Sequence, residues 1–256
     1  MIRHGGKILV DQLVKLGVRR VFSVPGESFL AALDGLYDSG IPNIVCRQEG
    51  GAAMMAEAYG KMTGQPGVCF VTRGPGATNA SAGIHIAQQD STPMVMFVGQ
   101  IDSRHTDRET FQEVDYKSLF GGLAKWVAQV NDTDRLPEYI SRAFHTACSG
   151  RPGPVVLALP ENMLSGAADV ADLTIPQMIT QPVPASTVQA IMHTLGQAEK
   201  PLIVVGGPHW NTQAQADLQA FAESQQVPVA VGLRRQDYID NHHANYAGDL
   251  TVGMNP

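Results

Sequence analysis

Five short apolar runs punctuate the first 160 residues: VFSV (21–24), NIVC (43–46), VCFVT (68–72), MVMFVG (94–99) and VVLAL (155–159). They are too short for helices, rich in β-branched residues and mostly separated by helix-length segments, which is the alternation of a parallel α/β sheet. Strands apolar on both faces are what a sheet covered by helices on both sides requires. Right-handed crossovers bring the loops that follow such strands to one edge, where ligands of open α/β sheets bind. The loops leaving that edge are PGES (25–28), RQEGG (47–51), RGPGATN (73–79) and QIDSRHTDRETFQE (100–113), each carrying Gly, Pro or polar groups. The opening MIRHGGKILVDQLVKLGV reads as an amphipathic helix, and Ser28 as the N-cap of a helix over 29–38.

Beyond PENM the apolar periodicity lapses through a stretch punctuated by Pro160, Pro176, Pro182 and Pro184, which reads as a linker. A second α/β unit follows, with helices near 186–198 and 211–225 and the strands PLIVVGG (201–207) and VPVAVG (227–232). Two clear strands are too few for an ordinary doubly wound domain, so the chain is expected to be a fragment of a longer protein. The expected organisation is a first domain over 1–165, a linker over 166–185 and the beginning of a second domain over 186–256. No internal repeat or low-complexity segment interrupts it.

Composition narrows the functional classes. With 256 residues, 44% hydrophobic content and 26 glycines, this is a folding chain with many tight turns. A net charge of -6 without a basic run argues against nucleic acid as a partner. No stretch approaches the roughly 18 apolar residues of a membrane helix, and no signal-peptide core is present, so a cytoplasmic location with no membrane partner is expected. Cys46, Cys69 and Cys148 lack metal-ligand spacing and read as reduced thiols.

Glu49 is the sharpest candidate for chemistry. It follows a strand by three residues and opens a helix beginning Gly50-Gly51-Ala52-Ala53, where small residues allow close approach. A helix-start anion stabilised by the helix dipole accounts for it equally well. VTRGPGATNASAG resembles a phosphate cradle, yet it is neither G-x-G-x-x-G nor a Walker loop, and a tight turn with close helix packing explains it too. Asn79 is also readable as an ordinary early helix residue, and Gln112 as part of a charged surface loop. His85, His105, His242 and His243 lack the pattern of a zinc site. No G-x-S-x-G elbow is present, so serine hydrolase chemistry has no support.

In order, VFSVPGES, RQEGGAAMMAEAYGKMTGQPGVCFVTRGPGATN, FVGQ, FQE and SGRPGPVVLALPENM closely resemble the N-terminal pyrimidine-binding domain of thiamine diphosphate enzymes, nearest to acetolactate synthase and its relatives that cleave or join 2-oxo acids. The resemblance is dense over 1–165 and then continues into the first part of the family's central domain. It implies an α/β pyrimidine-binding domain, a parallel sheet flanked by helices, followed by an incomplete central domain. In this family the glutamate after the second of these strands contacts N1' of the cofactor's aminopyrimidine. Protonating N1' favours the imino tautomer, whose 4'-nitrogen removes the thiazolium C2 proton. Glu49 is thereby implied as the catalytic proton partner. Val24, Pro25, Gly26, Pro75, Asn79 and Gln112 are implied around the pyrimidine, and Phe111, Gln112 and Lys125 near the substrate.

The same resemblance implies a small 2-oxo acid substrate, a homodimer or homotetramer, and Mg²⁺ held with the diphosphate by a Gly-Asp-Gly domain that this sequence lacks. The chain alone is therefore expected to be inactive, with no metal site of its own. It departs from the acetolactate synthase pattern at Gly50 and Arg73, and Pro208 and Trp210 count against the FAD that many of those enzymes carry. Alternatives are a noncatalytic or split subunit of such an enzyme and a nucleotide-binding module built on RGPGATN.

Overall fold

In the computed structural model, which describes residues 1–174, 176, 182–250 and 253, the chain opens with β1 (Arg3–His4), α1 (Gly5–Lys15), β2 (Val21–Ser23), α2 (Leu30–Tyr37) and β3 (Asn43–Val45). It continues through α3 (Glu49–Thr63), β4 (Gly67–Val71), α4 (Pro75–Asp90), β5 (Met94–Gln100), α5 (Tyr116–Phe120) and β6 (Trp126–Gln129). Then come α6 (Leu136–Cys148), β7 (Pro154–Pro160), α7 (Glu161–Ser165) and β8 (Ala167–Ala168). The expected helix-flanked parallel sheet is present, with six strands in the order β3-β2-β4-β5-β7-β6. Because the chain steps from β3 over β2 to β4, the loops that follow β2, β3 and β4 are neighbours at the strand-end edge.

Alternation along each strand divides the core in two. Val68 and Phe70, Val95 and Phe97, and Val155, Leu157 and Leu159 face α1, α2 and α6. Cys69 and Val71, Met94, Met96 and Val98, and Val156 and Ala158 face α3, α4 and α5. On the first face Phe29, Phe70 and Phe97 stack with ring centroids 5.9 and 4.8 Å apart. Each such buried ring contributes about 1.5–3 kcal/mol. On the second face the packing is by small residues: a Cβ on Gly83 would meet the Ala53 Cβ at 2.4 Å, so α3 and α4 approach closely only with glycine there.

Three sequence expectations change. The sheet has a sixth strand, β6, a four-residue edge strand whose Trp126 is sandwiched by Tyr139 at 6.0 Å and Arg142 at 4.3 Å. Ser28 does not cap α2; it is buried in a short 3₁₀ turn, its Oγ 2.7 Å from Thr72 Oγ1 and accepting from the Arg73 N–H at 3.2 Å. Residues 166–174, expected as linker, are tied to the first unit. β8 pairs antiparallel with β1, Gln12 exchanges two hydrogen bonds with the Leu173 backbone (2.7 and 2.8 Å), and Ser141 donates to the Thr174 carbonyl. Part of the expected linker, at residue 175 and over 177–181, lies outside the described residues.

The chain divides into two units, Met1–Met178 and Ile179–Pro256. The second contains α8 (Ala185–Gln197), β9 (Ile203–Val205), α9 (Thr212–Gln225), β10 (Val229–Gly232) and β11 (Tyr246–Leu250). Its parallel sheet runs β11-β10-β9, one strand more than the sequence pattern predicts. β11 escapes notice because YAGDL is polar and carries Gly248 at φ 100°, and its register with β10 is interrupted by a bulge. A small core of Val205, Ala222, Val229, Val231, Tyr238 and Ile239 holds this unit together.

Candidate active site

Glu49 is the first residue of α3, whose start is fixed by Gln48: its side chain accepts from the Gly51 N–H at 2.9 Å. The close α3–α4 packing sets Asn79 beside it, and Asn79 Nδ2 donates to Glu49 Oε2 at 3.0 Å. The other carboxylate oxygen faces Gly76. A Cβ there would lie 3.5 Å from Glu49 Oε1 and collide with Thr72 Cγ2 at 2.8 Å, so any side chain would fill the space before the carboxylate. Glu49 itself is half-buried. Beneath it, burial pushes the Cys69 thiol far above its ordinary value, with Cys46 and Glu49 adding to the effect, so Cys69 stays neutral.

The turn leading into α4 is equally constrained. Gly74 takes φ 61° and ψ −115°, a backbone open to glycine alone, and Pro75 occupies the first helical turn, where its missing N–H is not needed. Gln112 packs over this turn; a Cβ on Gly74 would meet Gln112 Cβ at 2.8 Å. Gln112 sits at φ 67°, and Asp107 and Glu109 in the same loop are also left-handed. Tyr116 anchors the turn from below, its hydroxyl accepting from the Gly74 N–H at 2.8 Å. Burial pushes the Tyr116 hydroxyl up to about 12.

The structure thus brings Glu49, Pro75, Asn79 and Gln112 to one edge. Gly26 joins them through Thr72, which a Cβ at position 26 would meet at 2.5 Å, and Val24 and Pro25 precede it on the same loop. Phe111, beside Gln112, is 78% exposed. Lys125 is not brought to this group. Its ammonium donates to the Ser149 carbonyl and, at 2.5 Å, to the Thr146 carbonyl, closing the end of α6. Gly153 places it beside Gln88, nine residues along α4 from Asn79, or about 14 Å of helix. Burial pulls its pKa below the ordinary lysine value. Glu57, two turns further along α3, is buried and accepts from Thr92 Oγ1 at 2.8 Å. Sequence reasoning missed Thr72, Gly76 and Tyr116 as components of the edge; only the small-residue spacing of GPGATN signalled the second.

The family model of the thiamine pyrophosphate enzyme N-terminal TPP binding domain matches residues 3–119, and that of the thiamine pyrophosphate enzyme central domain matches residues 188–256. The chain belongs to the thiamine pyrophosphate enzyme family. Among similar proteins of this family, the acetolactate synthase isozyme 2 large subunit of Escherichia coli is 34% identical over 96% of this chain and 45% of its own length. The acetolactate synthase large subunit of Lactococcus lactis is 33% identical over 98% of this chain and 44% of its own length. That of Corynebacterium glutamicum is 34% identical over 95% of this chain and 40% of its own length. The chain therefore spans less than half the length of these relatives. No described helix is long and apolar enough to cross a membrane.

Proposed function

We propose that this chain supplies the aminopyrimidine-binding half of the active site of a thiamine diphosphate-dependent 2-oxo acid decarboxylase or carboligase. The observation that carries this reading is the Glu49–Asn79 pair, 3.0 Å apart, with the second carboxylate oxygen facing the space that Gly76 leaves free. The residues fit an aminopyrimidine: a carboxylate to share a proton with a ring nitrogen, an amide to orient that carboxylate, and a small-residue cradle. Thiamine diphosphate, when bound, supplies a nucleophilic carbon and an electron sink for decarboxylation. Glu49 holds the proton at Oε1, and Asn79 fixes its rotamer. Val24, Pro25, Gly26 and Pro75 wall the ring, while Phe111 and Gln112 lie towards the substrate, and a low-dielectric pocket strengthens the Glu49 contact.

Anchoring a diphosphate requires a divalent cation such as Mg²⁺. No group of three or more His, Cys, Asp or Glu side chains placed for a metal occurs among the described residues. Because this chain spans less than half the length of the acetolactate synthase subunits it matches, we assign that role to residues outside it, and expect no turnover by this chain alone. A second copy is the natural source of the opposing wall, making a homodimer or homotetramer the working unit, and the unpaired cysteines fit the cytoplasm. Pro208 and Trp210 count against flavin in the second unit: Trp210 stacks on Tyr238 at 4.8 Å and donates to the Gly206 carbonyl at 3.0 Å, beside the end of β9.

The test is carbon dioxide release from pyruvate and other 2-oxo acids by the native-length polypeptide, with and without thiamine diphosphate and Mg²⁺. Release that requires the cofactor and collapses in Glu49→Gln supports the reading; release indifferent to Glu49→Gln sinks it.

A further inference from the structure

Arg73 is the residue this edge does not account for. It directly precedes Gly74 and is only 9% exposed, an unusual burial for an arginine. Its guanidinium reaches Glu27 Oε1 at 2.8 Å and also pairs with Glu161. Glu27 belongs to the loop after β2 and neighbours Gly26; Glu161 opens α7 directly after β7. In the strand order β2-β4-β5-β7, the pair of contacts crosses the end of β5 and joins loops from three strands. Backbone bonding runs in parallel: Ser28 Oγ accepts from the Arg73 N–H and contacts Thr72 Oγ1, whose side chain separates Gly26 from Gly76. Arg73 Nε is buried without a partner among the described residues, so the two carboxylates alone fix the guanidinium.

We propose that Arg73 is a positioning residue for the cofactor: by gripping Glu27 and Glu161 it holds Gly26 against Thr72, and so sets the Gly26–Thr72 wall beside the space that Gly76 leaves before Glu49. This rests on the function proposed above. A planar guanidinium suits the task because it presents several donors in a fixed fork and engages two carboxylates at once, whereas a lysine ammonium is a single point charge. Glu27 and Glu161 keep access to water, with side chains 71% and 41% exposed, so replacing Arg73 by an apolar residue of similar length strands no buried charge. The fold should therefore survive the substitution while the wall loosens.

Two measurements test it. In the 256-residue chain, Arg73→Met is expected to speed amide hydrogen exchange in residues 24–30 at least tenfold and to leave β5 and β7 protected. In the native-length enzyme, it is expected to raise the thiamine diphosphate concentration for half-saturation about tenfold while kcat at saturating cofactor changes less than twofold. Arg73→Lys should recover part of both effects. Unchanged exchange, or unchanged half-saturation, overturns the inference. If Glu49→Gln abolishes turnover while Arg73→Met alters nothing, the proposed function stands and this inference alone falls. A wild-type enzyme indifferent to thiamine diphosphate overturns both.

Discussion

Two glycine turns occupy equivalent places in the two units, each after a parallel strand and before a long helix. In the first, Gly74-Pro75-Gly76 leads from β4 into α4 and leaves a space that faces a carboxylate. In the second, Gly206-Gly207 leads from β9 towards α9, with Gly207 at φ 74°; both glycines are exposed with open space beside them, and the nearest functional groups are the stacked rings of Trp210 and Tyr238 rather than a carboxylate. Tyr238 also donates to the Gly207 carbonyl at 2.6 Å. Backbone architecture alone therefore does not make a binding site. What matters is whether neighbouring side chains place an ionisable group at the strand end, as Glu49 and Asn79 do at the first turn.

Four substitutions separate these contributions. Glu49→Gln keeps the shape of the first turn's partner and removes its charge; turnover of the native-length enzyme is expected to fall about 10²–10⁴-fold, the usual range for a lost acid–base group. Trp210→Ala removes the ring that stacks on Tyr238 and is expected to cost that unit about 2–3 kcal/mol in urea unfolding, somewhat less than for a fully buried aromatic. If the purified variant gains the visible absorbance of a flavin that the wild type lacks, the aromatic pair is the barrier.

Tyr116→Phe deletes the acceptor for the Gly74 N–H and is expected to cost about 1 kcal/mol. Its pH signature is more specific. The Tyr116 pKa is raised in the folded state to about 12, against an ordinary value near 10. The stability that follows is complete below about pH 10 and lost as pH rises towards 12. Unfolding curves of Tyr116→Phe should lack that alkaline loss. The smallest effect belongs to Lys125→Met, which removes a helix-end cap far from Glu49. It should cost about 0.5–1 kcal/mol in thermal unfolding and leave kcat within twofold.

The sequence was informative where one strong local signal sufficed. β2, β4, β5 and β7 are apolar runs that only a sheet buried on both faces explains, and Glu49 stands out because a strand and a small-residue helix meet at it. Legibility ended where long-range contacts decide. Ser28 has the composition of a helix cap, yet Thr72, 44 residues later, claims its hydroxyl. Lys125 matches a family motif, but the end of α6 claims its ammonium. Tyr116 carries no motif, and its bond to Gly74 exists only because α5 packs beneath the turn. β6 and β11 are short, partly polar edge strands whose pairing comes from neighbours.

The return of residues 166–174 along α1 has a practical meaning for anyone shortening this protein. A boundary drawn at Ser165, where the helix after the last sheet strand ends, looks natural in a strand count. It would strip Gln12, which is fully buried, of both its partners and would take Val170 and Asp172 away from Arg3. Each buried polar group left without a partner costs about 1–3 kcal/mol. The smallest unit that keeps Gln12, Arg3 and Ser141 with their partners therefore runs at least to Thr174, whose carbonyl is held by Ser141.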